Sequence, residues 1–522
     1  HPLVLGRSRF VETLGLNQLK LMQNQKLHPV MLAGTGSDVG KSVLAAALCR
    51  IFLQDGYHPA PFKAQNMALN SYATPQGLEI GRAQAVQAEA AGVPCHTDMN
   101  PLLLKPCSDQ TSQVVLNGKP IGNRDAWDYF RGKGFETLRT EVCAAYDRLA
   151  SRYNPIVLEG AGSPQVAGIS EINLRDKDLV NLPMARHAGA DVFLVADIDR
   201  GGVFASAYGS VVLQTPEDRK HIKGIIINKF RGDLRLFESG IRQMESLCGI
   251  PVLGVIPYYK DIHIEEEDSL ELVQKQRAAV QGKVNIAVVL LRHLSNFTDF
   301  NMLERDERVN LYYTNNTDDL LKADIILLPG TKSTLDDLYE LRRNGVAQAI
   351  LRAHREGTMV MGICGGYQMM GREICDPEGV EGSLTRLPGL GLLPMRTVMQ
   401  KEKVTRQVRF TLAGATGAGQ GYEIHNGTTL PVEGETYTPF TRLEDGTPEG
   451  SMSGSRCVGT YIHGILDNPS VIDWLIAPYA GKKAVSSPDY AAYKEEQYNK
   501  LADHVRSHLN MPLIYQILTA HD

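Results

Sequence analysis

Cysteine is sparse in this chain: eight thiols in 522 residues, with no two at CxxC spacing. That excludes the common zinc-ribbon and dithiol redox motifs, and thiols scattered so thinly fit a reducing compartment. Long apolar runs are missing, so no stretch reads as a membrane span. Positive charge is not in excess. The formal net charge of −5 removes the electrostatic case for a nucleic-acid partner. The first thirty residues hold no secretory apolar core with a cleavage site. There is no internal repeat and no low-complexity tract. A cytoplasmic protein is expected, with neither nucleic acid nor membrane as partner. The chain begins at His1 rather than Met, and residues 1–28 are an unassigned extension.

What remains is an ordinary globular composition, 43% hydrophobic and 22% charged. At roughly 150 residues per domain, the length implies two to four domains. Short apolar runs at 29–34, Ile156–Leu158, Val192–Val195 and Gly224–Ile227 are separated by helical stretches. Continuous apolar strands alternating with helices predict an α/β fold, here a doubly wound domain with a parallel sheet over 29–257. Residues 258–283, with Glu265–Asp268, read as a linker or a solvated face. A second α/β domain is expected over 284–480, from the runs at 284–290, 324–330 and 358–362, with antiparallel strands from about residue 390. Residues 481–522 are expected to form a helical C-terminal tail.

The first strand leads into Gly34-Thr35-Gly36-Ser37-Asp38-Val39-Gly40-Lys41-Ser42. Thr35 stands where the usual phosphate loop has its first glycine, and Gly34 lies one place earlier. Gly34, Gly36 and Gly40 still let backbone N–H groups face phosphate oxygens. Lys41 would neutralise the β and γ phosphates, and the Ser42 hydroxyl would ligate Mg²⁺. Asp38 either orients substrate or metal or caps the helix. Glu159 ends a strand where doubly wound sheets bind ligands, and is the second Mg²⁺ candidate. Asn228 can present donor and acceptor to a nucleobase. Residues 228–233 lack the Asp of the guanine-selective N-K-x-D pattern, which favours ATP.

Far downstream, Met359–Ile363 leads into Cys364-Gly365-Gly366-Tyr367-Gln368. Glycines around a cysteine at a strand–helix turn make a nucleophile elbow. The helix start favours thiolate. The Gly365 N–H is one oxyanion donor, and Gly330-Thr331 could supply a second. A thiolate of this kind needs a base or ion-pair partner, for which His463 and His425 both qualify.

Residues 359–368 and 459–464 resemble the class I glutamine amidotransferase family. The resemblance implies that Cys364 attacks the glutamine amide and His463 is the acid/base, with Gly330, Gly365 and Gln368 at the glutamine site. The Glu usually found two residues after the His is replaced by Ile465. That departure matches a branch that amidates cobyrinate with a Cys–His pair, and it leaves open what orients His463. The N-terminal half resembles dethiobiotin-synthetase-like synthetases. Phe62–Ser71, Gly81–Gln84, Met99–Pro106 and Ser112–Leu116 resemble the cobyric acid synthase family. This implies ATP- and glutamine-dependent amidation of the b, d, e and g carboxylates of a corrinoid a,c-diamide in vitamin B12 biosynthesis. Lys63, Gln65, Asn66 and Asn70 would then line an acceptor-binding surface. ATP, Mg²⁺ and glutamine are expected, with no permanently bound cofactor, and the oligomeric state stays open. The rivals are a cobyrinic acid a,c-diamide synthase and, more remotely, a partition-type ATPase switch.

Overall fold

The computed structural model describes residues 25–106, 111–125, 133–162, 169, 172–259, 261–265, 279–413, 418–479 and 489–520. Six strands form the first sheet: β1 (Val30–Gly34), β2 (Ala60–Phe62), β3 (Ile156–Glu159), β4 (Asp191–Asp197), β5 (Ile222–Phe230) and β6 (Val252–Pro257). Their order is β6-β5-β4-β1-β3-β2, all parallel. The chain steps from β1 to one side and later returns to the other. A crevice therefore opens at the carboxyl end of β1, the position at which such sheets bind ligands. Helix α1 (Lys41–Gln54) follows β1 and buries Leu44, Leu48, Ile51 and Phe52 against the sheet. Each such side chain contributes about 1.5–3 kcal/mol.

Between β2 and β3 the chain builds an insertion. It contains a four-stranded sheet (Gln65–Met67, Leu102–Pro106, Thr111–Leu116 and Lys119–Asp125) and a small antiparallel pair, Ser71–Ala73 with Glu79–Gly81. Helix α2 (Arg82–Ala90) starts at the end of that pair.

The second sheet holds β7 (Val284–Val289), β8 (Val309–Thr314), β9 (Ile325–Leu328), β10 (Met359–Ile363), β11 (Ser451–Ser453) and β12 (Cys457–Thr460). Their order is β8-β7-β9-β10-β12-β11, with only β11 antiparallel. A long antiparallel hairpin, Met395–Leu412 with Ala418–Pro431, flanks it. Helix α3 (Gly365–Met370) leaves the end of β10.

Two helices close the chain, α4 (Tyr490–His508) and α5 (Met511–Thr519). They pack on the first domain: Leu501, Val505, Ile514 and Leu518 join its core, and Arg50 donates to Glu495 at 2.9 Å. Residues 260 and 266–278 of the expected linker, and 1–24 of the extension, lie outside the described residues. Glu265, the first residue of that acidic run, is not on a solvated face. Its carboxylate is buried and accepts from Arg82 Nε at 2.6 Å and from the Tyr490 hydroxyl. Burial alone would raise its pKa, but Arg82 and Lys494 bring it down to about 2. Among the described residues, no helix is long and apolar enough to cross a membrane.

Candidate active sites

At the β1–α1 turn, Gly40 has φ +94° and a Cβ there would meet the Asn228 amide at 2.3 Å, so both conformation and space require glycine. Gly34 is tight for a different reason: its Cβ would lie 2.8 Å from Lys41 Nζ. That ammonium folds back over the loop and donates to the Gly36 carbonyl at 3.2 Å. Thr35 donates its N–H to Val195 of the neighbouring strand at 3.0 Å. Asp38 does not cap α1, because Gly40 holds the cap position and no side chain bonds there. Asp38 instead pairs with exposed Arg200 at 3.4 Å. Asn228 donates one amide N–H to the Val39 carbonyl at 2.9 Å and so braces the loop, which leaves its second N–H and its carbonyl oxygen for a base.

Glu159 joins this loop to the insertion. It is 1% exposed and accepts from Ser42 Oγ at 2.7 Å, Lys63 Nζ at 2.9 Å and Gln87 Nε2 at 2.7 Å. Burial pushes its pKa up, but the Lys63 charge and these three hydrogen bonds outweigh that and hold it below the usual carboxylate range. Lys63, Gln65, Asn66 and Asn70, expected to line an acceptor-binding surface, lie inside the fold. All four are 8% exposed or less. Lys63 faces the phosphate loop, and Asn66 donates to Gln84 Oε1 at 3.1 Å inside the insertion.

Around Cys364 the backbone takes φ 53°, ψ −109°, a conformation that costs a non-glycine residue about 1–3 kcal/mol. The neighbouring glycines make it possible. A Cβ on Gly366 would stand 2.0 Å from the Leu328 carbonyl, and one on Gly365 would stand 2.6 Å from Thr331 Cγ2. The Gly365 and Thr331 segments therefore touch beside the sulfur, and Gly330 lies against His463. Gln368, 2% exposed, accepts from Thr334 Oγ1 at 3.1 Å and donates to the Tyr461 hydroxyl at 3.2 Å.

His463 is the ring within hydrogen-bond reach of Cys364. Its Nδ1 donates to Asp299 Oδ2 at 2.7 Å, while Asp299 Oδ1 accepts from the Gly464 N–H at 2.8 Å. Both side chains are 2% exposed. Burial works against the imidazolium, yet the charges of Asp299 and Cys364 bring the pKa up to about 10. His425 lines the same cavity but stacks on Tyr461 at 3.7 Å, and burial takes its pKa down to about 4. It stays a neutral ring. Asp299 was not found from sequence. It lies 164 residues before His463, on the short turn Phe297–Phe300, and no local pattern announces it.

The cavity over Cys364 is about 40 Å³, room for one molecule of water or ammonia size. A whole glutamine requires its walls to move apart. Those walls come from both domains: Ser71 and Lys105 from the first, and Asn296, Lys403 and His463 from the second. The domains are pinned there. Ser71 donates its N–H to Asn296 Oδ1 at 3.2 Å, and Glu79 holds Lys105 at 2.6 Å together with Lys403. A larger cavity of about 490 Å³ lies between Leu69 and the 290–294 segment, lined by neither Cys364 nor the phosphate loop.

Residues 30–272 match the model of the CobQ/CobB/MinD/ParA nucleotide binding domain, and residues 285–471 that of the CobB/CobQ-like glutamine amidotransferase domain. A cobyric acid synthase of Bacteroides fragilis is 73% identical over 499 residues, spanning 96% of this chain and 100% of its own length. One from Phocaeicola vulgatus is 74% identical over 499 residues (95% and 100%). One from Syntrophobacter fumaroxidans is 47% identical over 517 residues (94% and 99%).

Proposed function

This chain belongs to the cobyric acid synthase family, and from that premise we propose that it amidates the b, d, e and g carboxylates of a corrinoid a,c-diamide with glutamine nitrogen and ATP. The observation that carries the chemistry is the pairing, in one chain, of a buried Cys364–His463–Asp299 array with a Lys41–Ser42–Glu159 phosphate site. The acceptor's identity rests on kinship with the named synthases.

Cys364 attacks the glutamine side-chain carbonyl. His463 gives its Nε2 proton to the departing nitrogen, and ammonia leaves a γ-glutamyl thioester. Water, deprotonated by the same ring, hydrolyses the thioester to glutamate and restores the thiol. The Gly365 and Thr331 N–H groups stabilise the oxyanion at each stage. Asp299 holds the ring by Nδ1 so that Nε2 faces the sulfur.

A carboxylate is a poor electrophile. Transfer of the ATP γ-phosphoryl group to it gives an acyl phosphate and ADP, and ammonia then displaces phosphate. Lys41 offsets the charge that develops on the phosphates. Ser42 and Glu159 suit Mg²⁺, which takes one or two protein oxygens and fills its shell with phosphate and water. When bound it would screen the phosphate charge. Lys63, whose ammonium is held on Glu159 beside Ser42, is read as a counter-ion for the incoming carboxylate.

Separate incubations of the chain with ATP, glutamine and either the a,c-diamide or cobyrinic acid test this reading. Consumption of the a,c-diamide is expected. Diamidation of cobyrinic acid that stops at the a,c-diamide would assign the chain to the sister activity.

A further inference from the structure

The wall of the Cys364 cavity carries charge that the chemistry at the sulfur does not use. Lys105 and Lys403 both line it, one from each domain. Lys105 stands on the Leu102–Pro106 strand of the insertion, and Lys403 on the Met395–Leu412 strand of the hairpin. The hairpin register breaks between Met399 and Val404. Irregular pairing of this kind re-aims side chains. Here Lys403 turns inward, its side chain 5% exposed beside a Val404 that is 38% exposed. Both ammonium groups rest on the buried Glu79 carboxylate, Lys105 on one oxygen at 2.6 Å and Lys403 on the other. Lys105 also donates to Ser71 Oγ at 2.9 Å.

Lys403 is crowded by like charge. Burial pushes its ammonium down to a pKa of about 7; Glu79 opposes that fall, while Lys105 and Lys332 add to it. A buried cation in this position gains from a second carboxylate, because attraction is strong where water is excluded. Glu381 lines the same cavity. Burial pushes its pKa up to about 7, so an incoming ammonium favours its charged form. Ammonium groups and a carboxylate in one small cavity are complementary to a zwitterion. Glutamine is one: beyond the amide that Cys364 attacks, it carries an α-ammonium and an α-carboxylate.

We propose that Lys105 and Lys403 bind the α-carboxylate of glutamine, so that the first domain completes the substrate site of the second. The proposal rests on the reading that Cys364 hydrolyses glutamine. Glu79 holds the two ammonium groups side by side against their mutual repulsion. Glu381 is the carboxylate that serves the α-ammonium. Because Lys105 and Lys403 belong to different domains, the subsite exists only while the domains are in contact.

4-Aminobutanamide is glutamine without its α-carboxylate, and ammonia release from the two amides can be compared in the full-length chain. The parent is expected to favour glutamine by about 10³-fold in kcat/KM, a comparison that needs no variant. Lys403→Met is expected to raise the KM for glutamine about 100-fold with kcat within about threefold. Its kcat/KM for 4-aminobutanamide is expected to stay within about threefold of the parent, so the preference falls to about tenfold. Lys105→Met, in the other domain, is expected to act in the same direction, and Lys403→Arg to recover most of the KM. Ammonium-supported amide formation, which bypasses glutamine, reports whether each variant is folded. A parent preference within about threefold overturns the proposal. So does a Lys403→Met variant whose glutamine KM stays within about threefold, or one that loses activity equally on both amides, because the lysine would then only support the fold. Failure of the underlying reading gives a different result: the parent chain would release no ammonia from glutamine.

Discussion

Replacing Asp299 by Asn preserves side-chain shape and removes one negative charge from His463. The imidazolium now has a pKa of about 10 against an ordinary 6.5, with the Asp299 carboxylate 2.7 Å away and both groups 2% exposed. Asp299, the larger contributor, and Cys364 together hold the ring about 3.5 units above its ordinary value, which at 1.36 kcal/mol each is about 5 kcal/mol. Half of that appearing in the rate-limiting state is about 2.5 kcal/mol, close to a 70-fold fall in glutaminase kcat. The direction in pH also follows. A raised histidine pKa means that the charged ring persists below about 10 and is lost as pH rises through that value. In Asp299→Asn the alkaline limb of glutaminase activity is expected to move to lower pH, with the Cys364 charge still opposing a full return to 6.5. Glutamate release across pH, with ammonium-supported amidation as the folding control, measures both effects. Glutaminase activity within about threefold of the parent on an unshifted pH profile would refute this account of Asp299.

Cys364→Ser is expected to abolish glutamine-dependent amidation while ammonium-dependent amidation survives; intact glutamine use would remove Cys364 as the nucleophile. Lys63→Met leaves the buried Glu159 carboxylate without its cation, which is expected to cost about 3–5 kcal/mol of stability, read by denaturant melts, and to lower ATP-dependent amidation. Gly366→Ala drives a Cβ to 2.0 Å from the Leu328 carbonyl, where backbone must shift, and is expected to lower stability by about 3 kcal/mol or more. Glu265, held at about 2 rather than 4.5, contributes stability above pH 4.5 that is lost as pH falls toward 2, about 3 kcal/mol in all; Glu265→Gln is expected to flatten that acid limb.

Features carried by short contiguous stretches could be read from sequence. The strand–loop–helix around Lys41 and the glycine frame of Cys364 are local, because a tight turn needs small residues beside the reactive one. His463 could be preferred over His425 only through resemblance. The structure separates them by what each ring touches: a carboxylate for one, Tyr461 and a backbone carbonyl for the other. Asp299 was hidden because its partner is 164 residues away and a lone Asp on a short turn has no signature. The burial of Gln65, Asn66, Asn70 and Glu265 had no signal in the sequence for a common reason. Polar residues are usually outside, and only the tertiary fold shows when they are covered.

In this mechanism glutamine nitrogen ends on the corrinoid carboxylates. Mass spectrometry of the product formed from the a,c-diamide, ATP and amide-¹⁵N-glutamine tests it most directly. Four new amides, all carrying ¹⁵N, are expected. Fewer than four amides at completion, amides without the label, or an unchanged corrinoid would contradict the account.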